Sequence, residues 1–336
     1  MTRLVAAVAA VVTISVTTCA RATESSSALE TLRAQAERVA PLVETPLAHA
    51  FLAAVADLSL VETPRVVYYN RDTRDAVAEN AAAALGDSAL AGYERRELDD
   101  HFYYFTRYGT PLAFVRALEL TGLESADGID VLEFGFGSIG QLKLLAALGA
   151  HAVGVEVDPL LRALYAREGD TGEMPRAKVA GRGRRGTVRT LYGHFPAEPG
   201  LVSEVGGGYE LFVSKNTLKR GYIHPEEDVD PRMLVHLGVD DETFVEALYA
   251  LLEPGGLAMI YNLHPRQAGE GQPYIPWADG RCPFARDLCE RVGFEVLAFD
   301  VDDSEAARAM GKAFGWDEQM DLKDDLFATY TLLRKQ

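Results

Sequence analysis

Val131-Leu132-Glu133-Phe134-Gly135-Phe136-Gly137-Ser138-Ile139-Gly140 is the stretch that decides the fold. An apolar run with strand character enters closely spaced glycines, and a helical pattern over 140–148 follows. Glycine has no Cβ, so the chain can turn tightly and a ligand can lie against the backbone. The helix start then offers N–H groups with no partner inside the helix. Sixteen residues past Gly140 stands Glu156, at the end of the apolar run 152–157. A carboxylate there can accept hydrogen bonds from ribose hydroxyls. Asp158 reads equally well as the N-cap of the next helix, with Pro159 in its first turn.

Downstream, short apolar runs alternate with helical segments, the pattern of βαβ units and a parallel sheet. Seven strands are expected, at 130–134, 152–157, 187–192, 211–214, 257–262, 294–299 and 327–333. Helices are expected at 140–148, 159–166, 240–252 and 284–292. The Gly/Arg stretch 181–186 reads as a loop. Upstream, residues 23–125 read as a mostly helical cap. Ser25–Ser27 offers an N-cap, 47–58 carries apolar residues at helical spacing, and 65–69 is a short strand. The alanine-rich 75–85 reads as a helix ended by Gly86, and the aromatic run 101–105 as core. The α/β unit covers 126–336.

Residues 1–22 form an apolar leader with a signal-peptidase pattern at Ala20-x-Ala22. The expectation is an exported or membrane-associated protein, with Cys19 as a lipidation point in a variant reading. A misassigned start would make it cytoplasmic. The three cysteines, Cys19, Cys282 and Cys289, form neither a disulfide framework nor a zinc pattern, so no metal is expected. A net charge of −17 makes nucleic acid an unfavourable partner.

The glycine pattern alone does not separate ligand classes. Glu156 lies twenty-one residues after Gly135, as a dinucleotide fingerprint also requires. Glu133 is the discriminating residue. A carboxylate at the strand tip repels a pyrophosphate and suits a cation.

At this point the residues resemble a family. The segment 131–140 resembles the first motif of class I S-adenosylmethionine-dependent methyltransferases, and Glu156 matches the acidic residue at the end of their strand two. Leu251-Leu252-Glu253-Pro254-Gly255-Gly256-Leu257 resembles their turn before strand five. Arg291-Val292-Gly293-Phe294-Glu295-Val296 resembles their junction into strand six. The likeness spans 108–335. It implies a Rossmann-like seven-stranded α/β sheet of order 3-2-1-4-5-7-6, with strand seven antiparallel. By that likeness Glu133, Gly135, Gly137 and Gly140 line the methionine end of S-adenosylmethionine, and Glu156 holds the ribose. Gly193 and His194 lie near the adenine, although many members carry an acidic residue where His194 stands. Tyr108 either covers the cofactor or simply packs.

The implied activity is methyl transfer to a small-molecule acceptor. Alternatives are an NAD(P)-dependent oxidoreductase and an exported, non-catalytic binding protein of the same fold. Aminopropyl transfer is weaker, because the glycine motif lacks the acidic residue those enzymes place inside it. Methyl transfer is an in-line displacement, so positioning supplies much of the acceleration; a base helps when the acceptor carries a proton. Strand C-terminal ends face the ligand crevice in such sheets. This makes Lys215, Asn216, Tyr222 and His224 candidates after strand four, and His264 after strand five. The catalytic candidates are Asn216, His224 and His264, set against a surface reading for His224 and a bystander reading for His264. The segment lacks an Asn-Pro-Pro-aromatic motif, which argues against amino groups of DNA bases or protein side chains. Tyr274 and Trp277 sit in a loop that either covers an acceptor or packs. Arg182, Arg184, Arg185 and Arg189 read as a solvated loop or an anion contact.

Overall fold

The computed structural model describes residues 27–86 and 88–336. The leader, with Cys19, Ser25 and Ser26, lies outside the described residues.

Parallel strands β4 (Asp130–Phe134), β5 (His151–Glu156), β7 (Thr187–Tyr192), β8 (Tyr209–Lys215) and β9 (Leu252–His264) form the centre of the large sheet. With β6 (Gly172–Glu173), β10 (Phe294–Asp302) and β11 (Phe327–Lys335), the spatial order is β10-β11-β9-β8-β4-β5-β7-β6. β11 runs antiparallel between β9 and β10. This is the expected order 3-2-1-4-5-7-6, with the two-residue β6 added as an eighth, antiparallel edge strand. The Glu253-Pro254-Gly255-Gly256 turn is an excursion within β9. Leu252 pairs with Tyr209 and Leu257 with Leu211, so the four intervening residues bulge out.

Alternation along the central strands feeds two cores. Val131, Ala152, Leu211, Val213 and Met259 point to one face, and Leu132, Val153, Phe212, Ala258 and Ile260 to the other. The second face is covered by α8 (Pro199–Val205), α10 (Asp241–Leu251) and α11 (Arg286–Val292). The first is covered by α6 (Gly140–Ala147), every residue of which is buried, and by the N-terminal helices. One apolar cluster therefore runs from Leu29 and Phe51 through Phe114 to Val131 and Tyr261.

In the N-terminal region α1 (Ala28–Val39) starts at a capping box, Ser27 with Glu30, and α2 (Pro46–Ala53) starts at the Thr45 cap with Pro46 in the first position. The region holds more strand than its sequence suggests. Ala76–Ala78 is β2, not the start of a helix, and α3 covers only Glu79–Leu85. β3 (Glu94–Leu98) has no apolar alternation to betray it. Both pair with β1 (Arg65–Tyr69) in a small antiparallel sheet. Of the run 101–105 read as core, Tyr103 and Tyr104 on α4 (Asp100–Phe105) are fully buried, Phe102 and Phe105 part-buried, and His101 exposed. α7 (Pro159–Leu164) begins at Asp158, whose side chain accepts from the Leu160 N–H. Among the described residues no helix is long and apolar enough to cross a membrane.

Candidate ligand-binding site

The loop between β4 and α6 needs its glycines for different reasons. Gly135 (φ 70°) and Gly137 (φ 58°) occupy the left-handed region. A Cβ on Gly135 would strike Thr217, which follows β8, and one on Gly137 would lie 3.0 Å from the Tyr108 ring. Gly140 is a packing glycine. Its missing Cβ leaves room for Pro111, whose atoms would otherwise be 2.9 Å away.

The hydrogen bonds of this loop decide what it can bind. The Gly135 N–H donates to Val155 O (2.8 Å), Gly137 to Glu156 Oε2 (3.2 Å), Ile139 to the Tyr165 hydroxyl (3.3 Å) and Gly140 to Ser138 Oγ (3.3 Å). The amides of Gly135, Gly137, Ile139 and Gly140 are therefore spent inside the protein rather than free to cradle a phosphate. The open capacity has the opposite sign. Gln141 Nε2 donates to Glu133 Oε1 (3.0 Å) and to Phe136 O (2.6 Å). Glu133 Oε2 and Gln141 Oε1 are both buried and have no partner. Once ionised, Glu133 Oε2 joins Gln141 Oε1 as an acceptor at the foot of the loop that a donor such as an ammonium would meet. Burial pushes the Glu133 carboxyl well above the ordinary range, against the pull of Gln141 and of Lys215. Lys215 lies two residues beyond Val213, the β8 partner of Glu133, and burial lowers its amine.

Glu156 stands at the tip of β5, as expected, and its carboxylate is already engaged. Oε2 holds the Gly137 N–H, and Oε1 accepts from Val157 (2.8 Å) and Asp158 (3.4 Å). It fixes the glycine loop. Tyr108 lies over Gly137 and is half exposed. Just before it, the Thr106 hydroxyl is shared between Phe105 O (2.7 Å) and Gly137 O (3.1 Å), and Arg107 pairs with Asp158 (3.3 Å). Past β7, the Glu198 carboxylate accepts from the His194 N–H (2.8 Å) and lies against Gly193. An acidic group thus reaches this position from four residues further on.

The catalytic candidates part company. Asn216 (φ 66°) sits at the β8 tip, and its Oδ1 accepts from the Leu263 N–H (2.7 Å), tying two strand ends together. His264 has both ring nitrogens occupied, by Pro265 O (3.0 Å) and Thr329 Oγ1 (3.1 Å), and burial lowers its pKa. His224 is exposed and pairs with Asp241 at 2.9 Å. Gln141, Thr217 and Lys219 were not singled out by the sequence. An amide one residue into a helix, and a threonine and a lysine in a polar loop, carry no local signal of burial. A cavity of about 350 Å3 lies between α10 and α11, lined by Glu242, Glu246, Tyr249, Arg291 and Val292, none of them at a strand tip.

No family model and no curated protein matches the chain. Solved structures similar to it include an S-adenosylmethionine-dependent methyltransferase from Mesorhizobium loti (17% identity, 66% of this chain and 98% of that one, TM-score 0.37). The cyclase SpnF is another (14% identity, 92% and 96%, TM-score 0.39). A third is the magnesium protoporphyrin IX methyltransferase of Synechocystis with S-adenosylmethionine bound (14% identity, 66% and 76%, TM-score 0.33). The fold itself, read from its strand order, is the Rossmann-like α/β sheet that the sequence resemblance implies.

Proposed function

We propose that the chain binds S-adenosylmethionine across the C-terminal ends of β4 and β5 and directs its methyl group to a small-molecule acceptor. One observation carries this reading: at the glycine loop the Gly137 and Ile139 N–H donors are spent while the buried Glu133 Oε2 and Gln141 Oε1 have no partner. That arrangement suits an ammonium and opposes a pyrophosphate, so the oxidoreductase alternative is disfavoured. Glu133 and Gln141 would hold the methionine ammonium, Glu156 the ribose, and Gly193 and His194 the adenine edge. Bound there, the sulfonium supplies an electrophilic methyl carbon. The chain's own part is to orient the acceptor in line and exclude water. Tyr108 serves as cover over the loop.

The test is calorimetric. Glu133→Gln preserves size and leaves the fold standing, and S-adenosylmethionine affinity should drop about 30-fold or more, the loss expected when a charged hydrogen bond worth about 2 kcal/mol is removed. Unchanged affinity would contradict the placement of the ammonium. The acceptor is proposed as a small molecule rather than nucleic acid, in keeping with the acidic chain. Export or membrane association through the leader stays a proposal. Protease protection in intact cells tests it.

A further inference from the structure

Lys215 ends β8, one strand across from Glu133. Val213 is the β8 partner of Glu133, and Lys215 lies two residues further toward the strand tips. Side chains two apart on a strand share a face. Glu133 therefore points with Val131, and Lys215 with Val213 and its own β9 partner Tyr261, all on the α6 face of the sheet. The turn that follows packs on the glycine loop. Thr217 fills the place of a Gly135 side chain, and its Oγ1 donates to Gly135 O (3.4 Å). Residues 215–217 are half-buried there, whereas Leu218 and Lys219 are buried.

Among the described residues Lys215 has no hydrogen-bond or ion-pair partner. Glu133 is near enough for each to feel the other's charge, but the two do not pair. Its charge is also left over once the donor is in place. The donor ammonium meets Glu133, the donor carboxylate offsets the sulfonium, and Lys215 still lacks an anion. A cation withdrawn from water without a counter-charge is costly, which favours a ligand anion at this tip.

The polar side chains after β8 and β9 are not placed to take a proton from an acceptor bound there. Asn216 is an amide, and His264 has both ring nitrogens occupied. His224, just past α9 (Arg220–Ile223), pairs with Asp241 at the start of α10, which covers the opposite face of the sheet. Lys219 donates to Leu263 O (2.6 Å) and Trp277 O (3.4 Å) inside a turn packed backbone to backbone, with Arg220 N on Arg281 O and Gly221 N on Asp279 O. An acceptor that arrives already ionised needs no base.

We propose that the acceptor is a carboxylic acid, methylated on a carboxylate oxygen, and that Lys215 holds that carboxylate beside the donor. This rests on the donor-binding reading above. Lys215 grips one oxygen while the other faces the methyl carbon. That oxygen supplies the electron pair of the new carbon–oxygen bond. The carbon–sulfur bond breaks, its pair stays on sulfur, and a methyl ester and S-adenosylhomocysteine result. The negative charge of the carboxylate and the positive charge of the sulfonium cancel, and no proton is released. Burial lowers the Lys215 amine and the Glu133 charge acts the other way. The acceptor carboxylate adds to that second pull.

The experiment uses the purified chain, S-adenosylmethionine labelled in the methyl group, and a panel of fatty, aromatic and amino acids, each beside its alcohol or amine counterpart. The acids should yield label that alkali releases as methanol, with no proton released per turnover in weakly buffered solution. Lys215→Met should raise the KM for the acid about 30-fold, the effect of losing one charged hydrogen bond, and Lys215→Arg should restore most of it. Donor affinity, measured by calorimetry, should stay the same in both variants. An alkali-stable product with one proton released per turnover overturns the proposal, because the acceptor is then an O–H or N–H. So does a KM that Lys215→Met leaves alone. Loss of donor affinity in Lys215→Met also overturns it, since the lysine then holds the donor's own carboxylate. Absence of turnover across the panel, with donor bound, counts against it as well. Failure of the unaltered chain to bind the donor sinks the methyl-transfer reading instead.

Discussion

Glu133 combines two demands that pull against each other. Its folded pKa is raised by burial above its unfolded value, so the folded chain keeps a proton that the unfolded chain has released. Stability from this group is therefore present below the unfolded pKa and is lost as pH rises toward the folded one. A bound cation reverses the preference by favouring the carboxylate. Binding of S-adenosylmethionine near pH 7 should then release close to one proton, and affinity should weaken as pH falls. Calorimetry in buffers of different ionisation enthalpy measures that proton directly. Binding heats that do not vary with the buffer would show Glu133 already ionised in the free protein.

Glu156 was legible from its place at a strand end, yet its hydrogen bonds to Gly137, Val157 and Asp158 were not, because they depend on how the loop folds back. The same limit applies to the histidines. Sequence shows a His at a strand tip. Only the tertiary fold shows that Pro265 and Thr329 take both nitrogens of His264, or that Asp241 meets His224 at the surface.

Among elements, the segment 104–111 of the N-terminal region touches the loop, with Ser138 Oγ donating to Tyr104 O (2.6 Å) and Pro111 packed at Gly140. It carries positive φ at Thr106 (49°) and Gly109 (82°), and it lays Tyr108 over Gly137. Tyr108→Ala should leave stability within about 1 kcal/mol, since the ring is half exposed, and should speed donor dissociation several-fold in stopped flow. A large fall in melting temperature would assign the ring to packing instead. The seven main strands were legible because apolar runs bounded by turn residues survive any tertiary context. β2 and β3 were not. Alanine is a strong helix former, and Glu-Arg-Arg-Glu-Leu offers no alternation. Both are strands because β1 is there to pair with them. The helix α12 (Ser304–Phe314) also escaped the sequence reading, although it buries Ala307, Met310 and Phe314.

For the whole molecule, the connection between the N-terminal region and the α/β sheet is partly ionic. Arg65 of β1 makes a bidentate pair with buried Asp170 (2.9 and 2.9 Å), and the Tyr103 hydroxyl donates to the same carboxylate (2.7 Å). The Arg167 N–H also donates to it (3.0 Å). Removing one partner of a buried pair leaves the other uncompensated, so Asp170→Ala should cost about 3–5 kcal/mol in denaturant unfolding. A loss below 1 kcal/mol would mean that the two parts are held by apolar contact alone.

The glycine loop is proposed to serve a cationic methyl donor. This role is tested most directly by titrating the purified chain calorimetrically with S-adenosylmethionine and S-adenosylhomocysteine, and in parallel with NAD and NADP. Both sulfur ligands, each carrying an amino-acid ammonium, should bind, and neither dinucleotide should give heat. Binding of a dinucleotide alone would contradict that role, because the loop amides would then have to leave Glu156 and Tyr165 to receive a pyrophosphate.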